Sequence, residues 1–430
     1  MKVLVVGSGG REHALVWKIS QSPLVDKIYA VPGNGGISLL AECVDIAVDN
    51  LQGLADFAQR NNIDLTVVGP EVPLVLGIVE VFEQRGLKIF GPSKQASRIE
   101  GSKSFGKEFM KKYHIPTGSF RVFTDKEEAI DFISSAAYPL VIKADGLAAG
   151  KGVIISRDKG SAVDTVNKIM VEKVFADAGT KLVIEEFLVG EEVTVLAFAD
   201  GKTVVPMIPS RDHKRVFDGD VGPNTGGMGA VAPSTMVSDK TRQKILREIL
   251  EPTILGMKTE GCSFKGVLYV GLMMTEVGPK VLEYNCRFGD PETQVVLPLL
   301  KNDLVEIILS IMEGELDLEE IEWEDFFSVC VVLASGGYPD KYEKNLEIFG
   351  LNKLSKEKSR DVHIFHAGTR RSVDRFFTAG GRVLGITCVD ASLEKAINKA
   401  YAAVELVQFK GMHFRKDIGY KISKLMKIDY

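Results

Sequence analysis

Apolar and polar positions follow two different periods along the first hundred residues of the chain. Short runs rich in β-branched residues are typical of buried strands, and longer stretches with apolar residues at helical spacing are typical of amphipathic helices. Because strands that alternate with helices favour a parallel sheet with crossover helices, this segment is predicted to form an α/β domain. The predicted strands are Val3–Val6, Lys27–Val31, Leu65–Val68 and Lys88–Phe90, and the predicted helices are Arg11–Ser20, Leu51–Asn61 and Leu74–Arg85.

Beyond residue 91 the pattern becomes a mixture of helices and antiparallel strands. A helix is expected at about 102–114, then a small α+β unit, and from about Phe326 a second one. The further predicted helices are Lys126–Ser135, Ala162–Val171, Ser238–Thr259 and Ala391–Val407. The further predicted strands are Ser119–Phe123, Pro139–Ala144, Val153–Ser156, Lys181–Phe187, Val193–Ala199, Gly266–Met274, Lys280–Tyr284, Ser328–Ala334, His363–His366 and Arg382–Val389.

The composition excludes several classes of protein. Hydrophobic residues make up 45% and charged residues 26% of the 430 positions, which is ordinary for a globular chain. A net charge of −5 gives no basic footprint for nucleic acid. The five cysteines are scattered and form no CxxC pair, which argues against a disulfide framework and a zinc site. No apolar stretch reaches the ~18 residues that span a membrane, and no signal-peptide pattern is present, so we expect a cytoplasmic protein.

A glycine-rich turn, Gly7–His13, follows the first predicted strand and opens a helix. Glycines let the backbone approach an anion, and a helix N-terminus offers free N–H groups to a phosphate. A dinucleotide fingerprint would need glycine at the position of Glu12. The turn is therefore interpreted as a phosphate site, with a ligand-free βα turn and a nicotinamide site as alternatives.

Two further motifs lie in the α+β unit. Lys143 ends a strand and begins a small-residue loop that runs to Gly152, which fits either a lid over phosphates or a solvated hairpin. The stretch Glu185–Val193 is an apolar strand that ends in acids and resumes after a turn. If the stretch binds ATP, its backbone can recognise an adenine edge and its acids can accept hydrogen bonds from the ribose hydroxyls. The alternative is a hairpin with a solvated acidic turn.

The most specific motif is Leu282–Gln294. Strand alternation places Glu283 and Asn285 on one face, where a carboxylate and an amide oxygen suit a hard cation. Arg287 falls on the same side and can hold an anionic oxygen bidentately. The alternative, an exposed polar strand end, does not explain why these three side chains share a face.

A polar, glycine-rich stretch, 211–230, lies between these motifs. It contains Asp212 and ends in the run Asn224–Ala230. The stretch is too polar and too rich in glycine to form core, so it is interpreted as a substrate loop, with a mobile linker as the alternative.

In order and spacing, the motifs after residue 143 resemble those of the ATP-grasp ligases. Over essentially the whole chain, and most specifically in the run Arg287–Gln294, the sequence is similar to the members of this family that join glycine to 5-phosphoribosylamine. The resemblance implies a purine-synthesis reaction that gives glycinamide ribonucleotide, ADP and phosphate through a glycyl phosphate intermediate. It also implies ATP and Mg²⁺ or Mn²⁺ as cofactors, small-molecule substrates rather than nucleic acid or membrane as partners, and a monomer or homodimer.

The same resemblance implies a division of the chain and roles for individual residues. The implied parts are an N-terminal parallel-sheet α/β domain (1–101) that binds phosphoribosylamine, an ATP-grasp region (102–325) with an α+β lid (about 120–192), and a small C-terminal α+β domain (326–430). The residues implied for ATP are Lys103 and Lys143 at the phosphates, Glu185, Phe187 and Leu188 at the adenine, and Glu192 at the ribose, with Glu191 as an alternative. Those implied for the metal are Glu283 and Asn285. Those implied for the two substrates are Gly7, Gly9, Gly10, Asn224, Thr225, Gly226, Asp290 and Glu292. Those implied for catalysis are Arg287, Asp212 and Lys143.

Three other functions remain as alternatives. A dehydrogenase requires a complete GxGxxG, which this chain lacks because Glu12 stands at the third glycine position. A non-catalytic ATP-binding protein would not need the Glu283–Asn285 pair or Arg287, and all three residues are present. Another ATP-grasp ligase or a purine-pathway carboxylase would share the fold and act on a different acceptor. The chain shows no nucleophile elbow or Cys–His motif, which agrees with phosphoryl transfer, a reaction that needs positioning and charge neutralisation.

Overall fold

The computed structural model describes residues 1–148, 152–317, 321–356 and 361–420. Part of the predicted loop after Lys143 lies outside the described residues, because Ala149, Gly150 and Lys151 are not among them. Within the described ranges, the structure contains no helix whose length and apolar character would let it cross a membrane.

The N-terminal residues form a five-stranded parallel sheet with helices between its strands, as the sequence pattern predicts. The elements are β1 Lys2–Gly7, α1 Gly10–Ile19, β2 Lys27–Pro32, β3 Glu42–Cys43, α2 Leu51–Arg60, β4 Leu65–Val68, α3 Glu71–Leu76, α4 Ile78–Glu83, β5 Ile89–Phe90 and α5 Lys94–Gly101. The strand order β3-β2-β1-β4-β5 puts the loop after β1 beside the switch point of the sheet, where open α/β sheets bind ligands. The single helix predicted over Leu74–Arg85 is wrong, because Gly77 adopts φ +99° and separates α3 from α4.

A helix and a small antiparallel sheet follow. The elements are α6 Lys103–Lys112, β6 Phe120–Phe123, α7 Lys126–Ser135, β7 Leu140–Ala144, β8 Val153–Ser156, α8 Lys159–Val166 and β9 Leu182–Glu186. The sheet order is β6-β9-β7-β8, and all three pairings are antiparallel. Helices α7 and α8 cover one face, where Ile133 and Ala162 pack with Ile142 and Ile184 in a core of their own. A unit with a separate core can move as one body over the rest of the chain.

The centre of the molecule is a second antiparallel sheet with a core on each face. The next elements are β10 Glu191–Asp200, β11 Val204–Pro206, β12 Arg211–Asp212, β13 Arg215–Phe217, β14 Val221–Asn224, β15 Gly229–Ala232, α9 Asp239–Ile245, α10 Glu251–Thr259, β16 Lys265–Thr275 and β17 Gly278–Asn285. A π-helical turn, Leu246–Leu250, joins α9 to α10. The sheet order is β11-β10-β16-β17. Val195 and Ala197 face one core and Leu196 and Phe198 the other, as the two-residue period of a strand requires.

The C-terminal segment completes a third antiparallel sheet together with strands from the middle of the chain. Its elements are α11 Thr293–Val296, α12 Leu304–Glu313, β18 Phe327–Ala334, β19 Glu347–Ile348, α13 Leu351–Lys356, β20 Val362–His366, β21 Thr369–Ser372, β22 Arg375–Thr378, β23 Arg382–Asp390 and α14 Leu393–Val404. The sheet order is β12-β15-β18-β23-β20, and β19-β22-β21 form a small neighbouring sheet. This shared sheet brings the start of β23 next to the glycine-rich loop before β15. The predicted α/β class, with a parallel N-terminal sheet and α+β units after it, is confirmed.

Candidate functional site

Glu283 and Asn285 stand on one face at the end of β17. Both are half-buried, whereas Tyr284 between them is buried and its hydroxyl lies 2.7 Å from Oγ1 of Thr253. Burial raises the pKa of Glu283, but surrounding cations outweigh burial and lower that pKa to about 2. The cations are Lys214, Lys143, Lys103 and Arg287. Glu283 is therefore an ionised carboxylate at the centre of a positively charged cleft.

Lys214 brings an ammonium group into contact with two acids of this cleft. Its Nζ atom lies 3.5 Å from Oε1 of Glu283 and 3.3 Å from Oε2 of Glu192. Burial acts to lower the pKa of Lys214, but its acidic neighbours, Glu192 foremost, raise that pKa well above its ordinary value. Glu283 and Glu192 hold the half-buried ammonium group of Lys214. Their carboxylate oxygens, with the amide oxygen of Asn285, are the hard donors that Mg²⁺ prefers. The residues present therefore fit a divalent cation.

Lys143 lies at the end of β7 and shares a carboxylate with a second lysine. Its Nζ is 2.8 Å from Oε1 of Glu185 and donates to the carbonyl oxygen of Leu282 at 3.1 Å. Lys107 lies 2.7 Å from the other oxygen of Glu185. Burial, only partly offset by Glu185, lowers the pKa of Lys107 to about 8. The carboxylate of Glu185 is thus committed to two lysines, which leaves its backbone rather than its side chain for a base.

Lys103 opens helix α6 and contacts the loop that follows Lys143. Its Nζ donates to the carbonyl oxygen of Gly146 at 3.1 Å. The carboxylate of Asp145 accepts the backbone N–H of Ser104 at 2.6 Å and the hydroxyl of Ser102 at 3.1 Å. These contacts tie the lid loop to the N-terminus of α6 and bring Lys103 close enough to interact electrostatically with Glu283.

The turn between β9 and β10 carries the residues expected at the nucleobase. Phe187 is 38% exposed and Leu188 is half-buried, so both present apolar surface to solvent in the absence of a ligand. Glu191 is paired with Arg211 at 2.6 Å. Glu192 points to the other side of the strand, toward Lys214. Of the two acids considered for the ribose, Glu192 is the one that faces the cleft.

Arg287 has a different set of partners from the one expected. Its Nε lies 3.1 Å from Glu71, and its Nη2 lies 3.0 Å from Glu100 and 3.1 Å from Oδ1 of Asn285. Its Nη1 donates to the carbonyl oxygen of Phe288. All three nitrogens of the guanidinium group are therefore engaged within the chain. Arg287 links two helices of the N-terminal domain to β17 and orients Asn285.

Asp212 and Glu292 are two further acids of the cleft, and they lie close enough for their charges to interact. Oε1 of Glu292 accepts the hydroxyl of Thr194 at 3.2 Å. Oδ1 of Asp212 is buried and has no hydrogen-bond partner among the described residues. Burial, and then the charge of Glu292, raise the pKa of Asp212 well above its ordinary value. Since a buried polar atom without a partner is costly, Asp212 suits a ligand that donates hydrogen bonds.

The predicted substrate loop packs on the backbone of Lys214. Asn224 pairs with Arg215 across the β13–β14 hairpin. The hydroxyl of Thr225 donates to the carbonyl oxygen of Lys214 at 2.8 Å and accepts the N–H of Gly227 at 3.0 Å. The loop thereby places Gly226 against Arg382 and Gly227 against Asp212.

The glycines after β1 surround the side chain of Glu12. A Cβ atom on Gly7 would lie 2.5 Å from Cγ of Glu12, and one on Gly9 would lie 2.8 Å from its Oε2. Glu12 accepts the N–H of Gly9, and Asp290 accepts the N–H of Arg11 at 3.4 Å. Two backbone donors of the proposed phosphate site are therefore occupied by carboxylates of the chain.

Further residues of the substrate region meet at the same place. A Cβ atom on Gly10 would collide with the side chain of Gln294, which donates to Oδ1 of Asp290 at 2.7 Å. Asn34, after β2, donates to the carbonyl oxygens of Ser8 and His366, each at 2.8 Å. These contacts join the loops after β1 and β2 to each other. They also join them to the run Arg287–Gln294 and to the C-terminal segment.

Sequence reasoning missed four residues of the site. Lys107 lies four positions after Lys103 and so on the same helix face, a spacing that could have indicated it. Lys214 stands within the polar stretch that was recognised but had no role assigned to it. Glu12 was noted only as a departure from a dinucleotide fingerprint. Arg382, whose Nη1 donates to the carbonyl oxygens of Gly226 and Asp290 at 2.6 and 2.7 Å, had no local signal.

Three family models match consecutive parts of the chain. The phosphoribosylglycinamide synthetase N domain matches residues 1–100, the ATP-grasp (A) domain matches residues 101–293, and the C domain matches residues 328–421. A phosphoribosylamine–glycine ligase of Caldanaerobacter subterraneus is 51% identical over 97% of this chain and 99% of its own length.

Solved structures give the same fold. The crystal structure of phosphoribosylamine–glycine ligase from Thermotoga maritima has a TM-score of 0.85 and 35% identity, and the match covers 97% of this chain and all of that one. The biotin carboxylase domain of the 2-oxoglutarate carboxylase of Hydrogenobacter thermophilus, a complex with MgADP and bicarbonate, has a TM-score of 0.74 at 17% identity over 96% and 91% of the two chains. The latter likeness shows the fold alone. The interpretation of the sequence as an ATP-grasp ligase is confirmed, and the chain belongs to the phosphoribosylamine–glycine ligase family.

Proposed function

We propose that the protein joins glycine to 5-phosphoribosylamine and converts ATP to ADP and phosphate, giving glycinamide ribonucleotide. The observation that carries this proposal is the ionised carboxylate of Glu283, which stands beside Asn285 within a cluster of cations, in a chain of this family. A cleft with this charge pattern suits the phosphates of ATP and a divalent cation. Another ATP-grasp ligase or a carboxylase would use the same cleft with a different acceptor.

ATP is assigned to the cleft between the lid and β17. Lys103 and Lys143 neutralise the phosphates. Both ammonium groups lie close enough to Glu283 to lower its pKa, so they face the part of the cleft in which the metal and the phosphates are placed. The backbone of 185–188 receives the adenine with Phe187 and Leu188 as apolar contacts, and Glu192 accepts the ribose hydroxyls. Lys107 holds Glu185, and through it Lys143, in place.

Glu283 and Asn285 are assigned to Mg²⁺ or Mn²⁺. The cation, when bound, neutralises charge on the phosphates and aligns them for transfer. Arg287 serves this pair by donating to Oδ1 of Asn285, so that its contribution is to orient a metal-binding group. Lys214, in contact with Glu283, is expected to turn to a phosphate oxygen when the cation occupies its place.

The two substrates are assigned to the other end of the cleft. The ammonium group of glycine donates to the buried Oδ1 atom of Asp212, with Glu292 beside it. The ribosyl 5′-phosphate is assigned to the loop Gly7–Gly10, where the N–H groups of Gly9 and Arg11 are now held by Glu12 and Asp290. This placement requires the two carboxylates to move away when the phosphate enters.

The chemistry follows from these groups. A carboxylate reacts poorly with an amine because its oxygen is a poor leaving group, and phosphorylation converts that oxygen into a good one. Lys143 and Lys103 stabilise the charge of the phosphoryl group as it passes from ATP to the glycine carboxylate. The amine of phosphoribosylamine then attacks the acyl carbon and loses a proton, and phosphate departs. The lid excludes water, which would otherwise hydrolyse the acyl phosphate.

Phosphate release from ATP tests the proposal. We expect release in the presence of both glycine and 5-phosphoribosylamine, and loss of most of it when either substrate is omitted. Release that depends on bicarbonate or on another amine would assign the protein to a different ATP-grasp reaction. Three expectations from the sequence stay predictions: the domain limits at 101 and 325, a monomer or homodimer, and a cytoplasmic location.

A further inference from the structure

Two arginines lie near the proposed glycine subsite, and they differ in how many of their donors are free. Every nitrogen of the Arg287 guanidinium donates to Glu71, Glu100, Asn285 or the carbonyl oxygen of Phe288. A substrate carboxylate could bind Arg287 bidentately only by displacing some of these contacts, because they use four of its five N–H groups. The arginine that the sequence predicted to hold an anionic oxygen bidentately is therefore already occupied.

Arg382, at the start of β23, is held on one edge only. Its Nη1 donates to the carbonyl oxygens of Gly226 and Asp290 and lies 3.3 Å from Oδ1 of Asp290. Within the described part of the chain, its Nε and Nη2 have no hydrogen-bond partner. The side chain is only 21% exposed. A largely buried guanidinium with one open edge can receive an anionic oxygen.

Arg382 and the half-buried acid Asp212 both lie next to the consecutive glycines Gly226 and Gly227. A Cβ atom on Gly226 would lie 2.9 Å from Cζ of Arg382, and one on Gly227 would lie 2.7 Å from Oδ1 of Asp212. Consecutive glycines thus bring the backbone against a cation and then an anion. The charge of Asp212 acts on Arg382, and that of Arg382 on Asp212.

We propose that Arg382 and Asp212 form a clamp for the zwitterion of the amino-acid substrate, in which Arg382 binds its carboxylate and Asp212 its ammonium group. The proposal rests on the proposed function and adds to it the residue that recognises the carboxylate. Arg382 belongs to the C-terminal domain, so this domain contributes directly to the choice of substrate. A ligand that lacks either charge leaves one member of the clamp unpaired, which costs affinity.

Binding of glycine and two analogues tests each half of the clamp. Glycinamide keeps the ammonium group and lacks the carboxylate, and acetate keeps the carboxylate and lacks the ammonium group. Dissociation constants are measured by calorimetry with the full-length protein, a non-hydrolysable ATP analogue and Mg²⁺. Since a hydrogen bond to a charged group is worth about 1.5–3 kcal/mol, the parent protein should bind glycine about 10- to 100-fold more tightly than either analogue.

The two variants should lose different preferences. Arg382→Gln should bind glycine and glycinamide within about threefold of each other and keep its preference for glycine over acetate. Asp212→Asn should show the reverse pattern. Arg375→Gln is the matched control, because this arginine lies in the same domain with a side chain that is 67% exposed. It should keep both preferences.

Three results would overturn the clamp. The first is an Arg382→Gln variant that still prefers glycine to glycinamide as strongly as the parent. The second is loss of both preferences together in Arg382→Gln, which would indicate a purely structural role. The third is an unchanged glycine preference with a raised Michaelis constant for phosphoribosylamine, which would assign Arg382 to the ribosyl phosphate.

A second variant and a separate readout keep the outcomes distinct. Arg382→Lys retains the charge without the paired donors, so it should retain part of the preference and fold if the glutamine variant does not. Binding of the ATP analogue should change by less than threefold in each variant. A parent protein that binds the ATP analogue but not glycine would instead contradict the proposed function.

Discussion

The ammonium group of Lys143 lies 2.8 Å from a carboxylate oxygen of Glu185, and both side chains are almost fully buried. Lys107 holds the other oxygen of the same carboxylate. Glu185 therefore keeps Lys143 extended at the end of its strand, where the positive charge reaches Glu283. Through this ion pair, strand β9 holds in place the lysine that we propose for the phosphates of ATP.

Lys143→Met should reduce turnover on the order of 10²–10³-fold, which is what the loss of one preorganised charge contact commonly costs. The fold should survive, because Lys107 continues to pair with Glu185. Steady-state phosphate release measures the effect, and Lys126→Met, at a partly exposed lysine that begins α7 of the lid, is the control. Turnover within a few-fold of the parent would make Lys143 a lid residue without a role in phosphoryl transfer.

Glu283→Ala should nearly abolish turnover, because it removes the carboxylate around which the cations of the cleft are arranged. Removal of Mg²⁺ by a chelator should have the same effect on the parent protein. Thermal unfolding should stay close to that of the parent. Glu276→Ala, an exposed acid in the same hairpin, is the matched control. Normal activity of Glu283→Ala at limiting Mg²⁺ would remove the metal assignment.

Gly9→Val should raise the Michaelis constant for 5-phosphoribosylamine by about tenfold or more and leave those for ATP and glycine much less affected. The new Cβ would lie 2.8 Å from Oε2 of Glu12 and 3.0 Å from Oδ2 of Asp290, so the side chain must displace both carboxylates. Separate titrations of the three substrates measure the effect. A change confined to ATP would mean that this loop binds a different ligand.

Local periodicity explains what the sequence could predict. The shared face of Glu283 and Asn285 follows from the two-residue period of a strand, and the parallel N-terminal sheet follows from the alternation of strands and helices. The division of one predicted helix at Gly77 was missed because its apolar spacing continues across the break. Helix α5, Lys94–Gly101, was missed because it is short and polar.

Contacts between distant parts of the chain explain what the sequence could not predict. The partners of Arg287 are Glu71, 216 positions away, and Glu100, 187 positions away. Arg382 reaches Gly226 across 156 positions. No local pattern records such pairs. The sequence therefore identified Arg287 as a functional residue without showing that its donors are taken by the chain.

The half-buried His363 and the buried His366 predict how the free energy of unfolding depends on pH. Burial lowers the pKa of His363 to about 4 and that of His366 to about 4, against an ordinary value of 6.5. The unfolded chain therefore binds protons between pH 6.5 and 4 that the folded chain does not. The free energy of unfolding is unaffected by these groups above pH 6.5 and falls as the pH is lowered toward 4.

His363→Phe should reduce this acid sensitivity. The ring of His363 lies 4.6 Å from that of Trp17 and stacks on Phe365, so a phenyl ring can take its place. Each unit of pKa difference is worth about 1.4 kcal/mol. Melting temperatures at pH 7 and pH 5 measure the effect. If the variant and the parent lose the same amount of stability between these pH values, His363 is not one of the groups responsible.

The route of the glycine oxygens tests the intermediate. Among the described residues the cleft offers phosphate- and metal-binding groups, and the sequence contains no recognisable covalent nucleophile, so the glycine carboxylate itself should attack the γ-phosphate. The amine of phosphoribosylamine then displaces phosphate, which leaves with one former carboxylate oxygen. Glycine labelled with heavy oxygen in its carboxylate should deliver one label to inorganic phosphate per turnover and keep the other in the new amide, as mass spectrometry can measure.

An adenylate mechanism would instead place the label in AMP and release pyrophosphate. Phosphorylation of the ribosyl substrate would release phosphate without label from glycine. Either result would overturn the glycyl phosphate mechanism, and the first would also contradict the roles assigned to Lys143, Glu283 and Asn285, which require the γ-phosphate as the group transferred.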